Sequence, residues 1–145
     1  MKDEFVSYLK TIGMTEPLLE RVKSIHDFYE AIFPNEITSV FVSEYVNQDG
    51  SRQYESLWFF SLKYTMEAKQ FTTTDNFDVA PIHKQIRHWL VEKQEYDFKE
   101  ATTTSRFTLT FLTRDDVIGT LKASGTNCDQ LRDVVAKYMI PNLLE

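Results

Sequence analysis

Apolar residues in this 145-residue chain recur first at the spacing of a helix. Phe5, Tyr8, Leu9 and Ile12 stand three or four positions apart, and Gly13 follows as a C-terminal stop. A second stripe, Leu18, Val22, Ile25, Tyr29 and Ile32, runs from Thr15 as N-cap and Pro17 in the first turn to Pro34, which ends it. The period then changes. Residues 37–46 are rich in Ile, Thr, Val, Phe and Tyr, which suit a pleated surface. Residues 47–51, NQDGS, form a turn around Asp49-Gly50, and residues 53–60 return as the second strand of a hairpin.

Residues 57–71 read LWFFSLKYTMEAKQF. As one strand, residues 54–71 would reach about 60 Å at ~3.3 Å per residue, while a domain of this size is only about 35–40 Å across. The stretch must therefore bend, and Ser61-Leu62-Lys63 is its one polar interruption. Beyond it Tyr64, Met66 and Ala68 face one way and Thr65, Glu67 and Lys69 the other. Residues 72–81, TTTDNFDVAP, read as a loop. Residues 82–93 are ambiguous. Val79, Ile82, Ile86 and Trp89 make a helical stripe with Asp78 as its cap, whereas Trp89, Val91, Tyr96 and Phe98 have the density of a strand. The local pattern favours helix.

A second hairpin follows. Phe107, Leu109 and Phe111 alternate with Thr108 and Thr110, Arg114-Asp115-Asp116 turns, and Val117, Gly119, Leu121 and Ala123 return. Asn127 is placed to cap a last helix carrying Cys128, Leu131, Val134, Val135 and Tyr138, ending before Pro141. The expected fold is α+β in a single domain. It has a helical pair over residues 1–34, a bent and partly closed antiparallel sheet over 37–124, and a capping helix over 127–140.

That order, with FFSLKYTMEA in its middle, resembles the bacterial pleckstrin-homology-like domains over about residues 37–140. Phe59, Phe60, Ser61 and Lys63, then Tyr64 and Met66, match a strand ending in a small hydroxyl residue, a basic turn and an alternating strand. APIHKQIRHWLVEK matches the segment that leads into the next strand. RFTLTFLT, VIGTLKAS and the helix from Asn127 match the closing hairpin and its cap. Leu62 stands where the family's turn usually has an acidic residue, and Tyr64 where it often has Arg. The resemblance implies strand for residues 82–98 and an interaction role, with no catalytic residues to carry over.

Composition narrows the partners. Lys and Arg number 16 against 22 Asp and Glu, a net charge of −6. No basic run is present, which argues against nucleic acid and against a membrane surface. One cysteine, Cys128, cannot close an internal disulfide, so a reducing cytoplasmic setting is expected. The charged N-terminal stretch is unlike a signal peptide, and no apolar run approaches the ~20 residues that span a bilayer.

Candidate chemistry is sparse. His83 and His88 stand five apart, which suits ligation of one metal on neither a strand nor a helix, and His26 lies off the apolar stripe of its helix. Cys128, in a first helical turn, reads as a small buried apolar residue. The carboxylate pairs Glu95/Asp97, Asp115/Asp116 and Asp75/Asp78 do not define a catalytic cleft. Were Arg52, Lys63, Lys69, Lys84, Arg87 and Lys93 to converge on one rim of the sheet, the resemblance implies the kind of rim with which eukaryotic relatives grip inositol phosphates, but Glu55, Glu67, Asp75 and Asp78 interleave with them. No catalytic, metal or cofactor site is expected. The aromatics Tyr54, Trp58, Phe59, Phe60, Tyr64 and Trp89 are expected to pack the barrel interior. Leu57 and Phe59 alternate onto the other sheet face, which needs a cover, and the second helix is the natural one. Left uncovered, Leu57 and Phe59 with Leu18, Val22 and Ile25 form the candidate interaction surface. The expected role is a non-catalytic module binding a protein partner or its own copies. A helix over 79–93 would favour a small acidic secretion-type chaperone instead; anionic lipid binding and an unrecognised enzyme stand behind both.

Overall fold

The structure, a computed structural model, describes residues 1–46, 51–80, 86–97, 102–114, 116 and 118–142. Helix α1 (Asp3–Thr11) and helix α2 (Glu16–Ile32) come first. Strands β1 (Ser39–Val46), β2 (Arg52–Phe60), β3 (Thr65–Lys69) and β4 (Phe77–Ala80) form one antiparallel sheet in sequence order. Strands β5 (Ile86–Asp97), β6 (Thr102–Thr113) and β7 (Ile118–Ser124) form a second. Helix α3 (Asn127–Val134) runs on through a π turn, Val135–Met139, into a 3₁₀ turn, Ile140–Asn142. The α+β class, the leading helical pair and the closing helix are as the sequence patterns require. No helix among the described residues is long and apolar enough to cross a membrane.

The first sheet is buried on both faces. Val40, Val42, Leu57, Phe59, Met66 and Ala68 pack against Phe5, Leu9, Leu19, Val22, Ile25 and Tyr29 of the two helices. Their strand neighbours Phe41, Trp58 and Phe60 point the other way. They pack against Leu109, Phe111 and Leu121 of the second sheet and Leu131, Val134 and Tyr138 of the last helical segment. Period-two alternation in β1 and β2 thus feeds two cores at once. Each fully buried Leu or Phe is worth about 1.5–3 kcal/mol relative to exposure.

The bend at residues 61–64 is built by one hydroxyl. The Ser61 N–H donates to the Tyr64 carbonyl at 2.9 Å, and Ser61 Oγ accepts from the N–H of Lys63 at 3.0 Å and of Tyr64 at 2.7 Å. A serine side chain that satisfies the turn's own amides replaces the Gly or Asn such a reversal often uses.

Several expectations need correction. The loop assigned to residues 72–81 contains β4, whose backbone pairs with β3 from Thr65↔Ala80 to Ala68↔Phe77. The helix favoured locally for 79–93 is absent where the chain is described: Val79 and Ala80 end β4, and residues 86–93 lie in β5. Pairing of Trp89 with Phe111 and Val91 with Leu109 overrides the helical spacing. On α2 the buried set is Leu19, Val22, Ile25, His26 and Tyr29, while Leu18 is half-buried and Ile32 is exposed. The stripe is thus rotated from the predicted one and includes His26. Thr15 holds the N-cap position of α2 without a side-chain cap bond, and Pro141 lies inside the 3₁₀ turn. Of the six aromatics assigned to the barrel interior, Phe59 faces the helices, and Tyr54, Tyr64 and Trp89 are only half-buried. Residues 47–50 of the first turn, Asp115, Val117 and Phe98 lie outside the described residues.

Candidate functional site

The predicted interaction surface is an internal contact. Val22, Leu57 and Phe59 are fully buried, Ile25 nearly so, and Leu18 half-buried, because α2 lies across the sheet face that needed a cover. His26 joins them, its ring edge-on to Phe59 at 5.6 Å and to Phe5 at 6.2 Å. These residues hold the helices to the sheet and are not free to bind a partner.

The described residues of the basic set do not converge either. Arg52 pairs with Glu44, Lys69 with Asp78 at 3.7 Å, Arg87 with Asp116 at 2.9 Å, and Lys63 approaches Glu36 at 4.0 Å. Lys84 and the Lys93 side chain lie outside the described residues, as do His83, Asp115 and the side chains of Glu95 and Asp97. Asp75 pairs with Arg21 at 2.9 Å. His26 and His88 are on different elements, and no three His, Cys, Asp or Glu among the described residues group as metal ligands would. Cys128 sits half-buried against the second core.

Where the two sheets meet, side chains close the strand edges. The β1–β2 ladder shifts register between Ser43 and Glu44, where β2 carries one extra residue, Glu55, and both Ser43 and Glu44 bond to β7. Ser43 Oγ accepts from the Lys122 N–H at 2.9 Å. Glu44, its side chain wholly inaccessible, accepts from the Ser124 N–H at 3.1 Å and the Ser124 hydroxyl at 2.8 Å, and from the Arg52 guanidinium. Asn127 does not cap α3. Its buried amide donates to the Val42 carbonyl at 2.8 Å and accepts from the Tyr8 hydroxyl at 2.6 Å, while the Val42 N–H donates to that hydroxyl at 2.9 Å. Gln130 takes the Val40 carbonyl at 2.7 Å. Burial raises the Tyr8 pKa well above its ordinary value, so it stays a neutral phenol. Tyr8, Glu44 and Asn127 were missed as structural polar residues. A Ser-Glu pair inside an otherwise apolar strand, VFVSEYV, is the available signal for this polar seam.

Beyond that seam a cleft of about 800 Å³ lies between the Ile118–Thr120 end of β7 and the first sheet's Ser56, Glu67 and Asp78. Burial pushes the Glu67 carboxyl above its ordinary 4.5, opposed by a hydrogen bond with Ser56 and by the Lys69 charge. Lys69 is drawn to Asp78, and Lys122 reaches Glu55 at 3.4 Å.

The outer edge of β5 is different. β5 pairs only with β6, and its ladder runs without a bulge from His88 to Glu95. Leu90 is 50% exposed and Val91 39%, on opposite faces of the strand, with exposed His88 and Glu92 on either side of them. No helix or strand among the described residues pairs with this edge. A regular stretch of strand with two exposed apolar residues and an edge that no described strand pairs is a template for a further strand. In comparison with known proteins, no family model matches this chain, and neither a curated protein nor a solved structure matches it.

Proposed function

We propose that this protein is a non-catalytic interaction module that takes an additional strand, from a protein partner or a second copy, on the outer edge of β5. The observation that carries this reading is the open, regular edge of β5 with Leu90 and Val91 exposed. Main-chain hydrogen bonds would supply the affinity, and the side chains flanking Leu90 the selectivity. The pleckstrin-type family reading is supported by the order of seven antiparallel strands closed by a helix, and by the Ser61 reversal. The secretion-type chaperone reading loses the helix that favoured it. Lipid-headgroup binding draws no support from Arg52, Lys69 and Arg87, each engaged by a carboxylate. The single cysteine and acidic balance support a cytoplasmic setting without nucleic-acid partners.

A photo-crosslinking residue at position 90, compared with one at the exposed Ile32, tests this reading in the protein's own cells. Adducts specific to position 90, identified by mass spectrometry and lost with Glu92→Lys, are the expected result. Equal adduct patterns from both positions would remove it.

A further inference from the structure

Resting on that reading of the β5 edge, we infer that the occupant is a second copy of this chain, bound antiparallel with its own Leu90 opposite Leu90. Two antiparallel edges related by a twofold axis perpendicular to the sheet must pair residues of the same face. The register numbers of each pair therefore sum to an even value.

Among such registers the one centred on Leu90 is self-complementary. It sets Leu90 against Leu90 and, on the same face, His88 of each copy against Glu92 of the other. On the opposite face it sets Trp89 against Val91. His88, Leu90, Val91 and Glu92 are exposed and Trp89 is half-buried, so all five are available at the edge. Neighbouring registers lose these matches. Centring on Trp89 puts His88 against Leu90, and centring on Val91 puts Leu90 against Glu92, each time setting a polar group on an apolar one. Arg87 stands at the bulge between Ile86 and His88, outside the regular ladder, and is held by Asp116 at 2.9 Å. Pairing in the Leu90 register joins two three-stranded sheets into one of six strands and leaves the outer edge of β5 covered.

The twofold axis makes every substitution act twice, which gives a sharp test by sedimentation velocity on the whole chain. The wild type is expected to dimerise at tens of micromolar. Leu90→Lys, which sets two ammonium groups against each other, is expected to abolish the dimer. His88→Glu sets a carboxylate against Glu92 at both symmetry-related pairs and is expected to weaken it by about tenfold or more. Glu92→Lys takes the acceptor away from His88 and is expected to weaken it less, while the double variant His88→Glu/Glu92→Lys sets opposite charges together and restores it. Circular dichroism and the thermal midpoint check that each variant is folded. A wild type that stays monomeric at high concentration overturns the inference, as does a dimer indifferent to Leu90→Lys or a double variant as weak as the singles. Adducts from position 90 to a different protein, with a monomeric wild type, leave the edge reading standing and remove only self-pairing. Absence of position-specific adducts removes both.

Discussion

β5 and β7 flank the same strand, β6, and their outer edges are treated in opposite ways. Along β7 the outward N–H groups of Lys122 and Ser124 go to Ser43 and Glu44, side chains that β1 presents where its pairing with β2 shifts register. Along β5 no side chain of the described residues is delivered, the ladder is regular over residues 88–95 between two register shifts, and two apolar residues stand in that stretch. Edges are commonly blunted by bulges, inward charges or a covering helix. This molecule closes one side of the second sheet with a hydroxyl and a buried carboxylate and leaves a regular stretch, residues 88–95, on the other. The lesson is that an open edge is informative when the same sheet shows how a closed one is made.

The largest effect expected from breaking this comparison is at Glu44. Glu44→Ala leaves the buried Ser124 N–H and hydroxyl without their acceptor and is expected to cost about 2–4 kcal/mol in urea unfolding. The equivalent truncation on the open edge, Glu92→Ala, is expected to fall within about 0.5 kcal/mol, and equal losses would erase the distinction. Asn127→Ala, which strips the Val42 carbonyl and the Tyr8 hydroxyl of their partner, is expected to cost about 1–3 kcal/mol. Ser43→Ala removes the acceptor of the Lys122 N–H and is expected to cost about 1 kcal/mol, with faster hydrogen exchange at Lys122. In the wild-type monomer, the amides of Lys122 and Ser124 are expected to exchange more slowly than the outward amides of β5.

The smallest effect concerns the cleft between the Ile118–Thr120 end of β7 and the first sheet. The folded pKa of Glu67 lies above its unfolded value, so its contribution to stability is fully present below the ordinary 4.5 and is lost as pH rises through the folded value. At neutral pH the charged carboxylate is therefore a liability. Glu67→Gln is expected to raise the thermal midpoint at pH 7 by roughly 1–2 °C, and calorimetry below pH 4.5 should find that advantage gone. A variant that loses stability at both pH values would assign Glu67 a structural role instead.

Much of the fold was legible because its elements obey their periods. The α1 and α2 stripes, the alternation of Phe107, Leu109 and Phe111, and the reversal at Ser61 are all local signals. β4 was not legible: four residues carry too little alternation, and β3 creates the strand by pairing with it. Residues 86–93 carry a helical stripe that only the β6 partner overrules. The candidate site failed for a related reason. Alternation correctly puts Leu57 and Phe59 on a face apart from Trp58 and Phe60, but whether α2 lies over that face is a tertiary fact with no sequence period. Asn127 was read as a cap because its short polar side chain fits one. Its true partners, Tyr8 and Val42, are 119 and 85 residues away.

That separation has a consequence for biosynthesis. The Val42 carbonyl is translated early and its amide donor 85 residues later. At roughly 5–20 residues per second, the ribosome takes about 4–17 seconds to bridge the gap. Throughout that interval β1 is a nascent strand with a naked flank, open to a chaperone or to the same strand on a neighbouring polysome. Stalled chains ending before Asn127 should therefore be more prone to co-translational aggregation than chains that have released α3 from the exit tunnel.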